Sequence, residues 1–230
     1  MATFLRPILA FDTSAAHCAA ALVVDGGTVP RVARFEPMQK GQAERLMPLL
    51  EEMLDEAGLA WPDLGGIAVG TGPGNFTGVR IAVAAARGLA LGLGIPATGL
   101  SAFALMRDPD GPAAHAAEWV SLPAPRDQAY LQAFRYGVPQ AAPRVVDPAA
   151  LPDDLTPPPN LRVIGHRAAE IARPCGAGAV EAALDRLPER LARLASWRFE
   201  TGALGPRPAP LYVRPADAAP PADPPPVILP

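Results

Sequence analysis

Residues 66–80, "GIAVGTGPGNFTGVR", hold the decision on fold. "GIAVG" (66–70) is a short run of small and apolar residues, as a buried strand needs. Gly70, Gly72, Gly74, Gly78 and Pro73 crowd the bend that follows, and a helical run begins with Asn75 or Thr77 available as its cap. A glycine-rich strand-to-helix turn can cradle a phosphate, because bare backbone N–H groups approach the anion at a helix N-terminus. The Walker loop also requires a Lys-Ser/Thr pair, which is absent here. The dinucleotide fingerprint requires glycines at its first, third and sixth places, which 70, 72, 74 and 78 do not fit. Spacing therefore favours glycines that serve a tight turn and close helix–sheet contact, with a phosphate cradle as the alternative.

The helix after the bend says more. At 100° per residue, Val79, Val83, Ala86, Ala90 and Leu93 form one apolar stripe. Ile81, Ala84, Ala85, Gly88 and Gly92 form a second, mostly small, face, and only Arg80 and Arg87 on one edge are charged. A helix apolar on two faces is covered on both. One face suits a sheet; the other calls for a second helix at short distance, from residues 43–57 or from another subunit.

Working outward, "PILAFDTS" (7–14) reads as a buried strand whose acidic end faces a cleft, "HCAAALVVDGG" as a second strand closed by a turn, and "VPRVARFE" as a third. Short connections make these an antiparallel meander. Leu46, Leu49, Leu50, Met53, Leu54 and Ala57 give a helix with one apolar face, stopped at Gly58; Pro48 predicts a late start or a kink. "IPATGLSAFALM" adds a strand and a short helix, so the first half reads βββ-α-β-α-β-α, an α/β sheet covered by helices. Composition breaks at "RDPDGPAAH" (107–115). Beyond it, "EWVSL" and "QAYLQAF" read as strands, "LRVIGHRAAEIA" as a strand entering a helix, and Val180 to Trp197 as helix. Residues 138–160 carry seven prolines and read as an irregular surface excursion, "LYVRP" (211–215) as a docking segment, and the proline-rich end as disordered.

Composition narrows function. The chain has 230 residues and a net charge of −3, with Lys40 its only lysine, so no basic stripe marks it as holding nucleic acid by itself. Cys18 and Cys175 lack the number and spacing of a disulfide framework or zinc site. Arg80 and Arg87 interrupt the best candidate for a membrane span, and no leader cleavage site follows the N-terminal apolar run; the expectation is a soluble, cytoplasmic protein.

Four stretches together, "ILAFDTS", "QAERLMPLLEEML", "GIAVGTGPGNFTGVRIAVAAARGLALGLGIPATGLSA" and "PLYVRP", resemble the TsaB (YeaZ) family, nearly continuously over residues 8–105 and at scattered points afterwards. That family supplies accessory subunits of the bacterial tRNA threonylcarbamoyladenosine machinery. The resemblance implies the α/β fold of the actin-like, sugar-kinase and heat-shock ATPase superfamily. Two ribonuclease-H-like lobes are then expected: a first lobe over 1–107, a reduced second lobe over 108–215, and a tail over 216–230. It implies pairing with the catalytic paralogue TsaD, a small ATPase subunit TsaE as third partner, and tRNA met through the complex; a homodimer using the same helix face, with no tRNA role, is a further alternative. No cofactor is expected to be required by this chain; nucleotide binding is possible in the complex, and whether nucleotide binds is left open.

By resemblance, Asp12, Thr13 and Ser14 occupy the place where the superfamily's first lobe faces phosphate, although capping of the local turn is the reading the residues favour. The paralogue's paired metal-binding histidines have no counterpart: Gln42 stands on the corresponding helix, and His17, His115 and His166 lie far apart. In the second lobe Pro123 replaces an expected aspartate, with Arg126 and Tyr130 retained and Asp127 nearby. Ser14, Ser101 and Ser121 lack a nucleophile-elbow setting, and Glu51, Glu52, Asp55 and Glu56 read as a solvated helix face. No catalytic residue and no metal site is assigned. The expected partner surface is Met47, Leu50, Leu54, Ile81, Ala85 and Gly88. The competing reading is a stand-alone ATPase or phosphotransferase using Asp12 and the Gly70–Gly78 loop.

Overall fold

The computed structural model describes residues 6–107 and 115–213. Strands β1 (Ile8–Asp12), β2 (His17–Val23) and β3 (Val32–Pro37) form the antiparallel meander. Helix α1 (Gln42–Ala57), β4 (Gly66–Gly72), helix α2 (Phe76–Leu93), β5 (Ala97–Ser101) and helix α3 (Ala102–Met106) follow. The first sheet runs β3-β2-β1-β4-β5, with β4 parallel to both β1 and β5.

Both faces of this sheet are covered at its centre, which explains the unbroken runs of small and apolar residues in β1, β2 and β4. Along β1 the side chains alternate: Leu9 and Phe11 pack with Leu46, Leu49, Leu50, Val79 and Val83 of α1 and α2. Ile8 and Ala10 pack on the opposite side. The helix there is α5 (Leu187–Thr201), bringing Leu191, Ala195 and Phe199 onto Ala19, Ala21 and Ala68. The alanines of "HCAAALV" and Gly66 let it come close; a Cβ at Gly66 would fall 2.2 Å from the Phe199 ring.

The second sheet is built from β6 (Ala117–Pro123), β7 (Ala129–Arg135), β8 (Val138–Pro139), β10 (Leu161–Gly165) and β11 (Gly178–Glu181), while β9 (Arg144–Val146) pairs with β7. Its order, β8-β7-β6-β10-β11, repeats the order of the first sheet, with β6 and β7 antiparallel and β10 parallel to both β6 and β11. The fold is thus the expected α/β pair of ribonuclease-H-like sheets. The second is reduced: its helix after β10, α4 (Ala168–Ala172), has five residues where α2 has eighteen. A charge triad centred on a buried glutamate links the end of α3 to the second sheet. Glu118 of β6, 2% exposed, accepts hydrogen bonds from Arg107, just after α3, at 2.5 Å and from Arg162 of β10 at 2.5 Å.

Several expectations need correction. Residues 178–181 are not helical; they pair with β10, and the helix starts only at Leu187, where Pro188 sits harmlessly in the first turn. Helix α5 covers the first sheet, although the linear division places it with the second lobe. Pro48 does not delay α1, which begins at Gln42 with this exposed proline inside it. The excursion over 138–160 contributes two short strands. Helix α2 is, by length and composition, long and apolar enough to cross a membrane despite its arginines, but Val79, Ala82, Val83 and Ala86 are buried in the first core. The proline-rich tail lies outside the described residues.

Candidate functional site

Strand β1 ends at Asp12, and residues 13–16 turn the chain into β2 against the glycine bend. Asp12, 3% exposed, accepts at Oδ1 from the Ser14 backbone N–H (2.9 Å) and the Ser14 hydroxyl (2.9 Å), with His17 Nε2 at 2.8 Å. The backbone bond makes an Asx-turn, so Asp12 caps the bend of its own chain. Thr13, fully buried, donates its hydroxyl to the Gly78 carbonyl at 2.7 Å.

The glycines exist for this contact. A Cβ at Gly70 would lie 1.6 Å from Asp12 Oδ2, one at Gly74 2.1 Å from the Ser14 carbonyl oxygen, and one at Gly78 2.0 Å from the Thr13 carbonyl oxygen. Gly72 also takes φ +83°, which side chains resist. Three backbone amides at the start of α2 are occupied: Asn75 N–H donates to the Ser14 carbonyl at 2.5 Å, and the N–H groups of Thr77 and Gly78 donate to the Asn75 side chain at 3.0 and 3.3 Å. A phosphate cradle needs such donors free. These contacts make the joint a weld between the β1–β2 turn and the start of α2. Beside it a cavity of about 350 Å³ is lined by Asp12, Ser14 and His17 at one end and by Phe35, Leu122 and Leu187.

The docking segment lies against the same bend. Leu211 N–H donates to the Thr71 carbonyl at 2.8 Å, and Leu211 and Val213 pack on the core of Phe103, Val120 and Phe134. Tyr212 points outward: its ring stands 5.1 Å from that of Phe76, and its hydroxyl accepts from Arg80 Nε at 2.8 Å. The Arg80 guanidinium lies 3.7 Å over the Phe76 ring.

The expected partner surface is brought together only in part. Met47, Ile81 and Ala85 are half-buried at the α1–α2 junction, and Gly88 is exposed with nothing within 4 Å of a Cβ built on it. Leu50 and Leu54 are corrected: at 0% and 2% exposure they belong to the chain's own core, packed in the cluster between the first sheet and its covering helices rather than facing outward. Leu91, 78% exposed, and Ala84 take their place on the outer face. His17's approach to Asp12 and the Arg80–Phe76–Tyr212 stack were missed. The first follows once a four-residue turn joins β1 to β2; the second joins residues 132 apart and leaves no local signal. Asp127, exposed, pairs with Arg167 at 3.2 Å. Among the described residues no three His, Cys, Asp or Glu side chains converge as metal ligands do.

Two sheets of one strand order, a strand-end aspartate beside a cavity and a glycine weld starting an outward-bare helix define an α/β protein built on two sheets of one design. A family model described as tRNA N6-adenosine threonylcarbamoyltransferase (TsaD) matches residues 14–109. The tRNA threonylcarbamoyladenosine biosynthesis protein TsaB of Escherichia coli is 41% identical over 99 residues, 43% of this chain and 42% of that protein. An uncharacterized protein of Mycobacterium tuberculosis is 32% identical over 218 residues, 94% of this chain and 95% of its own length. The solved YeaZ structure from Pseudomonas aeruginosa superposes with a TM-score of 0.66 at 26% identity, covering 90% of this chain and all of that one. The chain is thus similar to TsaB proteins in sequence over its first half and to YeaZ in fold over nine-tenths of its length.

Proposed function

We propose that this chain is a non-catalytic accessory subunit in tRNA threonylcarbamoyladenosine biosynthesis. It pairs with the catalytic paralogue TsaD and supports threonylcarbamoyl transfer to the adenosine beside the anticodon. The observation that carries the pairing is the outer face of α2. Ala84, Gly88, Leu91 and Gly92 are exposed, and no described atom lies within 4 Å of a Cβ built at Gly88 or Gly92. Small residues at such a face let a second helix approach closely, and Leu91 offers it an apolar contact.

The mode of action is conformational. The subunit binds the productive state of its partner more tightly than the idle state and so shifts the population toward it. TsaE joins as an ATPase subunit, tRNA is met through the complex, and the free chain uses the same face for self-pairing. The bend favours the accessory reading over a stand-alone ATPase, since Asp12 Oδ1 and the amides of Asn75, Thr77 and Gly78 are engaged within the chain.

Light scattering of the purified chain, alone and with the paralogue, tests the pairing, alongside ATP turnover by the chain alone. A stoichiometric complex with no turnover by the chain alone is expected. Saturable turnover by the chain alone, abolished by Asp12→Asn, would replace this reading with the ATPase.

A further inference from the structure

A groove of about 540 Å³ lies at the C-terminal end of α2. Leu91 and Ile95 line it from the helix side, and Leu204 and Pro208 from the segment that follows α5. Leu91 is 78% exposed, the barest large apolar side chain of α2. Arg87 and Arg207 give the groove its charge; both are exposed, and no acid lines it. Neither makes an ion pair among the described residues, whereas Arg45, Arg107, Arg162 and Arg167 all do. The groove is an apolar trough with two unpaired cations among the described residues, and no aromatic ring lines it as a platform for nucleic-acid bases.

The chain's own sequence supplies a match. Residues 215–230, "PADAAPPADPPPVILP", carry Asp217 and Asp223, no basic side chain, and the apolar run Val227, Ile228 and Leu229. Their prolines favour the polyproline helix, which advances about 3.1 Å per residue and loses little entropy on docking. The path fits as well. From Pro208 in the groove the chain runs to Leu211, bonded to Thr71, and to Tyr212, beside Phe76 and Arg80 at the N-terminal end of α2. The five residues from Pro208 to Val213 span at most about 18 Å of extended chain. Returning over that distance takes about six residues of polyproline helix, and 214–219 include four proline-free residues in which to turn. A segment coming back along α2 passes Arg80 and Arg87 before Leu91 and Ile95. In the same order it carries Asp217 and Asp223 before Val227, Ile228 and Leu229.

We propose that residues 216–229 fold back along α2 and dock in this groove of their own chain. Asp223 meets Arg87 and Arg207, and Val227, Ile228 and Leu229 cover Leu91 and Ile95. Asp217 falls beside Arg80, whose guanidinium is held in place by the Tyr212 hydroxyl and the Phe76 ring. Opposite charge steers the segment to this groove, and apolar contact holds it there. In the free chain the docked segment shields Leu91 from water.

Cross-linking within the full chain tests the docking. In a Cys175→Ser background, Pro230→Cys is combined with Gly92→Cys, next to Leu91, or with Arg135→Cys on the second sheet. A short bismaleimide joins the two thiols, while Cys18 is buried and does not compete. The Arg135 pair sets the rate of an undocked tether, and docking should make the Gly92 pair link roughly tenfold faster. That product should be a monomer, formed at a rate independent of protein concentration. Arg87→Glu with Arg207→Glu should remove the advantage, and adding Asp217→Lys with Asp223→Lys should restore it. Gly92, Arg87, Arg207 and Arg135 are all exposed, so the variants keep the fold. Equal rates for the two pairs overturn the docking. An advantage that survives the charge reversal overturns the role of the arginines. Products joined between two chains, increasing with protein concentration, overturn the choice of the chain's own segment.

Discussion

The weld between the glycine bend and the β1–β2 turn yields a sharp contrast within one helix. Gly78 and Gly88 both lie in α2, ten residues apart, yet a methyl group should act oppositely at the two. At Gly78 the added Cβ would sit 2.0 Å from the Thr13 carbonyl oxygen, where ordinary contact begins near 3.4 Å. The obstacle is backbone in a buried turn, so no side-chain rotation relieves it, and the shift would also disturb the 2.7 Å bond from the Thr13 hydroxyl. Overpacking of this kind costs about 3 kcal/mol at the upper end of its range. Weakening the hydrogen bond adds about 1 kcal/mol. The better helix propensity of alanine returns about 1 kcal/mol. Gly78→Ala should therefore destabilise the isolated chain by about 3 kcal/mol, lowering its thermal midpoint by roughly 6–12 °C for a protein of this size. At Gly88 nothing lies within 4 Å, and Gly88→Ala should stabilise by about 0.5–1 kcal/mol. Urea unfolding of the three proteins, with slopes compared to confirm a common transition, measures both numbers. A Gly78→Ala variant within about 0.5 kcal/mol of wild type would refute the claim that the glycines serve close approach.

Further outcomes follow from other contacts. Gly88→Leu should leave the free chain folded, since its Cβ points into open space, yet weaken association with the paralogue; normal binding would place the interface elsewhere. Glu118→Gln strips the charge that Arg107 and Arg162 share in a buried setting, and should cost about 3–5 kcal/mol in urea unfolding. Burial, with Glu36 nearby, pushes the Cys18 thiol up to about 11, so a thiol reagent at pH 8 should label Cys175 well before Cys18 in the native protein. Hydrogen bonds from Arg45 hold the Glu36 and Glu52 carboxyls below the usual range. Their contribution is therefore complete above the ordinary glutamate value of about 4.3 and lost as pH falls through the lowered values, so Arg45→Met should flatten the acid limb of stability.

The first sheet was legible because its central strands β1, β2 and β4 are buried on both faces and appear as continuous apolar runs, while β3 alternates as an edge strand does. The loops between them carry explicit stop signals such as Gly58 and Gly94, both in left-handed conformation. The second half was less so. Residues 178–181 are a four-residue edge strand followed by a helix that starts at a proline, and an alanine-rich stretch of that length carries no period to separate the two. At the site, the role of the glycines depended on which atoms approach them, and Thr13 and Ser14 lie more than fifty residues away in sequence. Leu50 and Leu54 show the limit of a helical wheel: it identifies an apolar face but not the neighbour that covers it, and here that neighbour is the chain's own sheet.

The central claim is that this chain enables its paralogue without performing the chemistry. Incorporation of labelled threonine into tRNA, with threonylcarbamoyl adenylate supplied and the catalytic paralogue and ATPase subunit present, measures this directly. Reactions with this chain, without it, and with it alone make the comparison. Labelling that requires both this chain and the paralogue is the predicted result. Labelling by this chain alone, or full labelling in its absence, would contradict the account.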